Sequence, residues 1–307
     1  MSVITKPQFR GHRPVTENDK KATSVPMNDR RPPRSAPRSA AKTDAPRGRR
    51  AARADAPPRK LKAEPEREDG PQRIAKLLAR AGVGSRRDVE RMIEEGRIAL
   101  NGEVVVQPAP LLASLDGLTV DGNPVAKPVS TRLYRFHKPS GCLTAARDPK
   151  GRKTIYDLLP KGLPRLMPVG RLDYNTEGLL LLTNDGEFKR QLELPASGVE
   201  RTYRARAFGD ISQTQLEDLV EGIEIDGIRY GKIDANLERR TGRNQWIEMT
   251  LTEGKNREVR RVLEHLGLQV SRLIRTRYGQ FTVENLDVGA VDVVPRDELF
   301  QFRRRLG

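Results

Sequence analysis

The feature that most constrains this chain is a run of four leucines, Leu179 to Leu182, inside the stretch GRLDYNTEGLLLLTND at residues 170–185. Consecutive apolar side chains are typical of a protein core, so the run predicts a buried segment. An acidic residue, Asp173, lies just before the run and next to Arg171. Two interpretations are open. Asp173 caps a turn, or the leucines form a water-free wall beside a carboxylate that performs chemistry.

The second half of the chain is rich in strand patterns. Period-two alternation of apolar and polar residues occurs at residues 201–208, 232–237 and 245–251. Ser212 and Asn256 are predicted to cap helices that end at Gly222 and Gly267. Strands outnumber helices and do not alternate with them regularly. We therefore predict an α+β domain over residues 131–307 rather than a doubly wound one.

An ordered region is predicted to begin near Pro71, with the sequence QRIAKLLARAGVGSRRDVERMIEEGRIALNGEVV. Its apolar spacing predicts two helices followed by a hairpin. Ser85 with Asp88 three residues later predicts a capping box, and Asn101-Gly102 predicts the hairpin turn.

Two arginines, Arg86 and Arg87, occupy the first turn of the second predicted helix. The helix macrodipole disfavours cations at that end. The two side chains are either simply solvated, or they face a phosphate together with the N-terminus of the helix.

Residues 1–70 predict a disordered basic arm. They contain ten prolines and 18 Lys/Arg against 9 Asp/Glu, and such a composition cannot bury enough surface to offset chain entropy. The whole chain has a net charge of +16 and a pI near 10.2, which predicts a polyanionic partner. The arm is either a solubilising tail or a source of attraction to RNA phosphates.

Several classes of protein are excluded by what the sequence lacks. A single cysteine, Cys142, excludes an internal disulfide and suits a reducing compartment, and no signal-peptide segment is present, so we expect a soluble cytoplasmic protein. There is no dinucleotide-binding glycine motif and no P-loop. Three isolated histidines and one cysteine cannot form a zinc cluster, so we expect no metal and no cofactor. A Cys142–His137 pair is conceivable, but a lone cysteine is usually a small core residue.

Three further segments accompany the leucine motif: RFHKPSG at 135–141, ERTYRA at 200–205 and EGKNREVRR at 253–261. Together they resemble the pseudouridine synthase family over roughly residues 71–300. Residues 71–118 resemble the S4 RNA-binding domain, with residues 119–130 as a linker. Within the family, the sequence is similar to the branch that modifies ribosomal RNA, and is closest to the large-subunit type B enzymes, which act on 23S rRNA. The resemblance implies a mixed, largely antiparallel sheet flanked by helices.

The resemblance also implies roles for individual residues. The catalytic aspartate of the family corresponds to Asp173, its base-stacking tyrosine to Tyr203, and the arginine that pairs with the aspartate to Arg260. Many relatives read His-Gln where this chain has Arg257-Glu258, which leaves the role of Arg257 open. Arg171 is either an RNA-flipping wedge or half of a fold-stabilising ion pair. The remaining residues implied are Leu273 under the base, Lys255 and Arg257 toward the substrate, and Arg73, Arg86 and Arg87 toward RNA in the S4 region.

The predicted activity is the isomerisation of an rRNA uridine to pseudouridine by a monomer acting on rRNA or an assembly intermediate, with no membrane involved. Whether Asp173 attacks the sugar, attacks the ring or assists deprotonation is open. Two alternatives remain at this point. One is a non-catalytic S4-type assembly factor, and the other is a hydrolase that uses Asp173 and Glu177 as paired carboxylates.

Overall fold

The computed structural model describes residues 70–108 and 110–306. The disordered arm predicted over residues 1–70 lies outside this part of the chain, except for Gly70. Within the described ranges, no helix combines the length and the apolar character needed to cross a membrane.

The N-terminal region consists of two short helices beside two small antiparallel sheets. Its elements are β1 (Gln72–Arg73), α1 (Ile74–Arg80), α2 (Arg86–Glu94), β2 (Ile98–Leu100), β3 (Glu103–Val104), β4 (Leu111–Leu112), β5 (Leu118–Val120) and β6 (Asn123–Pro124). Strand β1 pairs with β4, and the other four strands form a sheet in the order β3-β2-β5-β6. The apolar faces of both helices meet the sheet in one buried cluster, which includes Ile74, Leu78, Val89, Ile93 and Ile98.

Local signals account for the start of α2 and for the first hairpin. The Ser85 hydroxyl accepts a hydrogen bond from the Asp88 N–H at 3.1 Å, and the Asp88 carboxylate accepts one from the Ser85 N–H at 2.9 Å. The predicted capping box is therefore confirmed, and such a cap stabilises a helix by about 1 kcal/mol. Asn101 and Gly102 both have positive φ, as the two-residue turn between β2 and β3 requires.

Residues 119–124 correct the predicted linker. The chain does not become a connector at residue 119, because β5 continues through Asp121 and Gly122 into β6. Both turn residues have positive φ, which is the conformation of a tight hairpin turn. The β5 strand also pairs with β2, so the hairpin extends the N-terminal sheet. Of the predicted linker, residues 125–130 lie outside regular structure.

The C-terminal region is built around one large sheet. Its strands, with the separate β11–β12 hairpin, are β7 (Leu133–Lys138), β8 (Met167–Pro168), β9 (Thr176–Thr183), β10 (Arg201–Phe208), β11 (Ile223–Ile225), β12 (Ile228–Tyr230), β13 (Ile233–Thr241), β14 (Asn244–Leu251), β15 (Gln269–Tyr278), β16 (Phe281–Thr282) and β17 (Val291–Val293). Its helices are α3 (Gly186–Glu193), α4 (Gln213–Glu217), α5 (Glu258–His265) and α6 (Arg296–Arg305).

The sheet has the strand order β13-β14-β10-β15-β9-β7-β17, with β8 beside β9 and β16 beside β15. The β15–β9 pair is parallel and the other pairs are antiparallel. The predicted α+β class with a mixed, largely antiparallel sheet is confirmed.

Strand β9 explains the run of four leucines. All four side chains are fully buried. Leu179 and Leu181 pack into the core that contains α3 and α6, whereas Leu180 and Leu182 pack into a second core on the other face. Successive side chains of a strand point to opposite faces, so a strand covered on both sides needs an uninterrupted apolar sequence. Each buried leucine contributes about 1.5–3 kcal/mol to folding.

The two faces of the sheet differ in what covers them. We call the face that carries Tyr203, Ala205 and Leu273 the front face, and the opposite face the back face. Helices α4 and α5 pack in the core that covers the front of β13, β14, β10 and β15. On the back, α3 and α6 cover β7 and β9, while β10 and β13 present exposed side chains such as Arg206 and Arg239.

Candidate active site

Asp173 lies at a tight turn in the loop that leads into β9. Its backbone carbonyl accepts a hydrogen bond from the Thr176 N–H at 3.1 Å, which closes the turn. The preceding Leu172 is buried and makes two hydrogen bonds with the Thr144 hydroxyl, at 2.8 and 3.2 Å. The turn is therefore held through hydrogen bonds of its own backbone N–H and carbonyl groups. The Asp173 carboxylate is not its cap, and this side chain is 35% exposed at a cleft.

A buried lysine binds the backbone of this turn. Lys138, at the end of β7, is completely buried, and its ammonium group lies within hydrogen-bond distance of four backbone carbonyls. The acceptors are Pro139, Asp173, Tyr174 and Thr176, at 3.0, 3.1, 3.5 and 2.8 Å. Burial lowers the pKa of Lys138, and Cys142 and Asp173 oppose part of that change. The lysine ties the end of β7 to the loop that presents Asp173.

The guanidinium that reaches Asp173 belongs to Arg257. Its Nη1 lies 3.4 Å from Oδ2 of Asp173. The implied Asp173–Arg260 contact is not formed. The reason is local: Arg257, not Asn256, is the N-cap of α5, and it has a left-handed conformation with φ of 51°. This conformation costs a non-glycine residue about 1–2 kcal/mol, and such strain is typical of functional sites.

Arg260 supports the same turn from a more buried position. It is 7% exposed, and its guanidinium donates to the carbonyls of Asn175 and Val270, both at 3.3 Å. Burial and the charge of Arg257 lower the pKa of Arg260, while the nearby Asp173 acts in the opposite direction. Arg260 therefore contacts the backbone after Asp173 and acts on the carboxylate through its charge.

Tyr203 lies on β10 with its ring in the cleft wall, opposite Arg275 of β15. Arg275 Nη1 lies 3.5 Å from the Tyr203 hydroxyl, and its Cζ lies 6.0 Å from the ring centre. Arg275 is 2% exposed and donates from Nε to the Leu179 carbonyl at 2.8 Å. Its Nη2 has no hydrogen-bond partner among the described residues. A buried, unsatisfied N–H is costly, so an acceptor on a bound molecule would stabilise it.

Leu273 occupies the position between the Asp173 turn and Tyr203. It is 4% exposed, and its strand neighbours are Thr176 on β9 and Ala205 on β10. The close approach of β9 to β15 requires a glycine at position 178. Gly178 has φ of 105°, and a Cβ there would overlap the backbone of Arg275.

A cleft of about 770 Å³ joins these side chains. Its wall brings together six of the predicted site residues, namely Arg171, Asp173, Tyr203, Lys255, Arg257 and Leu273. Arg171 is exposed and makes no ion pair within residues 70–108 and 110–306, so the suggested fold-stabilising pair is not found. Lys255 pairs with Glu253, and its Nζ lies 5.7 Å from the Tyr230 ring.

Two carboxylates lie close together in the same wall. Glu258 is 3% exposed; its Oε2 accepts the Lys255 N–H at 2.8 Å, and its Oε1 has no partner among the described residues. Burial, together with Glu253, raises the pKa of Glu258 to about 7. Burial also acts on Glu253, but hydrogen bonds from Gly231 and Lys255 outweigh it and lower the pKa of Glu253. Glu258 therefore keeps its proton up to about pH 7, whereas Glu253 ionises at lower pH.

The predicted RNA-contacting residues of the N-terminal region lie on two different elements. Arg86 and Arg87 open helix α2, and Arg73 lies in β1 directly before α1. All three side chains are exposed. Their contact with phosphate stays a prediction.

The two carboxylates of the hydrolase alternative are not brought together. Glu177 follows Thr176 on β9, and it forms an ion pair with Arg272, a back-face residue. Asp173 lines the cleft on the front side. The arrangement offers a single carboxylate rather than a pair at these positions.

The sequence interpretation missed Lys138 and Arg275. Strand alternation carried a signal for both. Lys138 has the same parity as the buried Phe136, and Arg275 has the same parity as the buried Leu273. A charged residue at an inward-facing strand position predicts a buried group with dedicated hydrogen bonds.

Comparison with known proteins identifies families that match both regions of the chain. A family model described as RNA pseudouridylate synthase matches residues 132–265, and one described as S4 domain matches residues 72–109. An uncharacterized RNA pseudouridine synthase of Rickettsia bellii is 45% identical over 215 residues, which cover 70% of this chain and 93% of the relative. Ribosomal large subunit pseudouridine synthase B of Salmonella typhi is 43% identical over 215 residues, which cover 68% and 74%. A crystal structure of a pseudouridylate synthase aligns with a TM-score of 0.53 and 25% identity over 76% of this chain and 99% of that one.

An S4 domain followed by a mixed-sheet domain that matches RNA pseudouridylate synthases defines an RNA-modifying enzyme. The chain belongs to the RNA pseudouridine synthase family, and it is an isomerase. The family, the S4 domain and the enzyme class predicted from the sequence are therefore confirmed.

Proposed function

We propose that the chain isomerises a uridine of 23S ribosomal RNA to pseudouridine, with Asp173 as the catalytic carboxylate. The observation that carries this proposal is the position of that carboxylate. It faces the cleft 3.4 Å from the Arg257 guanidinium, while backbone groups and Lys138 hold the turn. The carboxylate is thus oriented without being used as a structural cap.

The reaction breaks the N1–C1′ bond and forms a C5–C1′ bond; a proton leaves C5 and N1 gains one, so no atom is gained or lost. A carboxylate is suited to this chemistry as a nucleophile or as a proton acceptor. Tyr203 provides a surface on which an extruded base stacks, and Leu273 supports the base from the sheet. The unsatisfied Nη2 of Arg275 would receive an acceptor from the bound nucleotide.

Cations around the cleft fit an RNA backbone. Arg171, Lys255 and Arg257 line its wall, and we propose that Arg171 enters the RNA where the uridine is extruded. Arg260 would place a buried positive charge beside the Asp173 turn, where its guanidinium contacts the Asn175 carbonyl. We propose that the S4 region within residues 71–118 positions the RNA through Arg73, Arg86 and Arg87, and that residues 131–307 act as the catalytic domain.

The name of the Salmonella relative supports 23S rRNA, or a large-subunit assembly intermediate, as the partner. We propose that the enzyme acts on it as a cytoplasmic monomer. Mapping pseudouridines in the rRNA of cells that lack this gene would identify the position, because the target should remain an unmodified uridine there.

Asp173→Asn tests the catalytic assignment. The variant should lose activity by about 10³-fold or more, because the amide keeps the shape but not the charge or the nucleophilicity. Release of tritium from RNA labelled at uridine C5 measures the reaction directly. RNA affinity should stay within a few-fold of the original protein.

Glu177→Gln is the matched control, since it makes the same change in the carboxylate of the hydrolase alternative and should retain most of the activity. Tritium release that survives in Asp173→Asn would overturn the assignment. RNA that gains the mass of water would instead support a hydrolase.

A further inference from the structure

A second concave site lies on the back face, away from the catalytic cleft. Its cavity of about 330 Å³ is lined by Arg206, Arg239, Thr241, Asn244, Trp246 and Arg272. The lining thus contains three guanidinium groups, one indole and two neutral polar side chains, and no carboxylate. A cavity of this size is suited to one nucleotide base rather than to a large ligand.

Strand register puts the arginines and the tryptophan in one row across the sheet. Arg239 is opposite Trp246, Trp246 is opposite Arg206, and Arg206 is opposite Arg272. Like charges directly opposite each other on neighbouring strands destabilise a sheet. An anion bound at the Arg206–Arg272 pair would remove that cost.

The arginines at the two sides of Trp246 are available for a ligand. The side chains of Arg206 and Arg239 are exposed, and their guanidinium groups form no ion pair or hydrogen bond with other residues of the described ranges. Arg272 is held by Glu177. At least three further acidic residues share this face outside the cavity lining, namely Asp234, Glu238 and Glu248. Glu238 pairs with Arg204, and Glu248 lies opposite Arg204 in the next row.

Aromatic rings complete the surface. Trp246 is partly exposed, and the Arg204 guanidinium lies 5.1 Å from its ring centre. Phe208 is 41% exposed on the same face, with the Arg243 guanidinium 4.7 Å from its ring. Aromatic rings interleaved with cations are the means by which proteins bind unpaired nucleic acid, through base stacking and phosphate contacts.

We propose that this Arg/Trp row is a second RNA-binding site, which takes an unpaired segment of the RNA with a base on Trp246 and the flanking phosphates on Arg206 and Arg239. The inference rests on the RNA substrate of the proposed function but uses none of its catalytic residues. A double helix fits less well, because its bases are not free to stack on a side chain. An apolar protein partner also fits less well, because the lining has a single apolar ring among its polar and charged groups.

The site can be observed directly because Trp246 is the only tryptophan of the chain. The full-length protein is titrated with an unpaired oligoadenylate of about ten nucleotides, a length that suits a single-strand site. This probe has no uridine, so the catalytic reaction cannot contribute to the signal. Quenching of the tryptophan emission is expected, while a duplex of the same length should quench it much less.

Arg206→Gln with Arg239→Gln tests the phosphate contacts. Removing two contacts should weaken the binding seen by quenching at least several-fold. It should also flatten the slope of log affinity against log salt by about 1.4, at roughly 0.7 per contact for single strands. Arg296→Gln with Arg304→Gln, on helix α6, removes the same charge and should leave the quenching midpoint unchanged.

Two results would overturn the proposal. One is unchanged tryptophan emission at RNA concentrations at which the anisotropy of a labelled oligonucleotide shows saturated binding. That result would favour a protein partner for this face instead of RNA. The other is an equal loss of affinity in both double variants, which would mean that only net charge matters. Neither result would affect the assignment of Asp173, which tritium release tests separately.

Discussion

Strands β10 and β15 carry arginines on both faces of the sheet, and the two faces use them differently. On the front face, Arg275 is 2% exposed and is held by the Leu179 carbonyl beside Tyr203. On the back face, Arg206 is exposed, and its guanidinium has no partner within the described residues. A buried guanidinium must be hydrogen-bonded and is therefore held in one orientation, whereas an exposed one stays adaptable. A site that positions a reactive carboxylate needs buried guanidinium groups in fixed orientations. A surface that binds RNA phosphates needs only exposed, adaptable ones.

Lys138→Met should have the largest effect on the stability of the front face. The carbonyls of Asp173, Tyr174 and Thr176 in the turn, and that of Pro139, would lose their buried cationic donor, so the free energy of unfolding should fall by about 3–5 kcal/mol. Chemical denaturation of the full chain measures the change. Lys161→Met is the matched control, because that lysine is exposed, and its effect should stay within about 0.5 kcal/mol. Equal destabilisation by both variants would show that Lys138 does not hold the turn.

Arg275→Met and Arg206→Met compare the two faces directly. The front-face change removes the donor to Leu179 and the neighbour of Tyr203, so we expect a loss of about 1–3 kcal/mol in stability together with reduced tritium release. The back-face change should alter stability by no more than about 0.5 kcal/mol. Denaturant unfolding curves of the two variants measure both changes in stability. Equal losses would contradict the distinction drawn between the two faces.

Glu258→Gln should have a smaller effect that depends on pH. The pKa of Glu258 is about 7 in the folded chain, against an ordinary value of 4.5. Between these values the unfolded chain releases the proton and the folded chain keeps it, so stability falls as pH rises through this window and levels off above it. The lowered pKa of Glu253 acts in the opposite sense, but only below its ordinary value of 4.5.

The glutamine variant should flatten the fall in stability between about pH 5 and 8, which we expect to be on the order of 2 kcal/mol. Thermal or denaturant unfolding at several pH values measures it. Glu217→Gln, an exposed carboxylate on α4, should leave the profile unchanged. A profile that keeps its slope in Glu258→Gln would assign the pH dependence to another group.

Much of the site could be predicted from the sequence, and what was missed has a common cause. Asp173, Tyr203 and Leu273 each belong to a short motif, so the sequence could predict all three as residues of the cleft. The contact of Asp173 with Arg257 could not. It depends on the left-handed conformation of Arg257 at the start of α5, which nothing in the neighbouring residues demanded. Because Asn256 was taken as the cap, the helix was expected to start one residue too early.

The amino-acid sequence by itself determined the elements whose causes are local. The capping box of α2 and the Asn101-Gly102 turn follow from contacts between residues near one another in the chain, and the burial of β9 follows from its uninterrupted run of leucines. Tertiary structure alone decided which side chains meet across strands. The row of Arg206, Trp246 and Arg239, and the approach of Arg275 to Tyr203, depend on strand order and on the register shift between Thr202 and Tyr203. Register is set by packing over the whole sheet, and a shift of one residue sends every side chain of a strand to the other face.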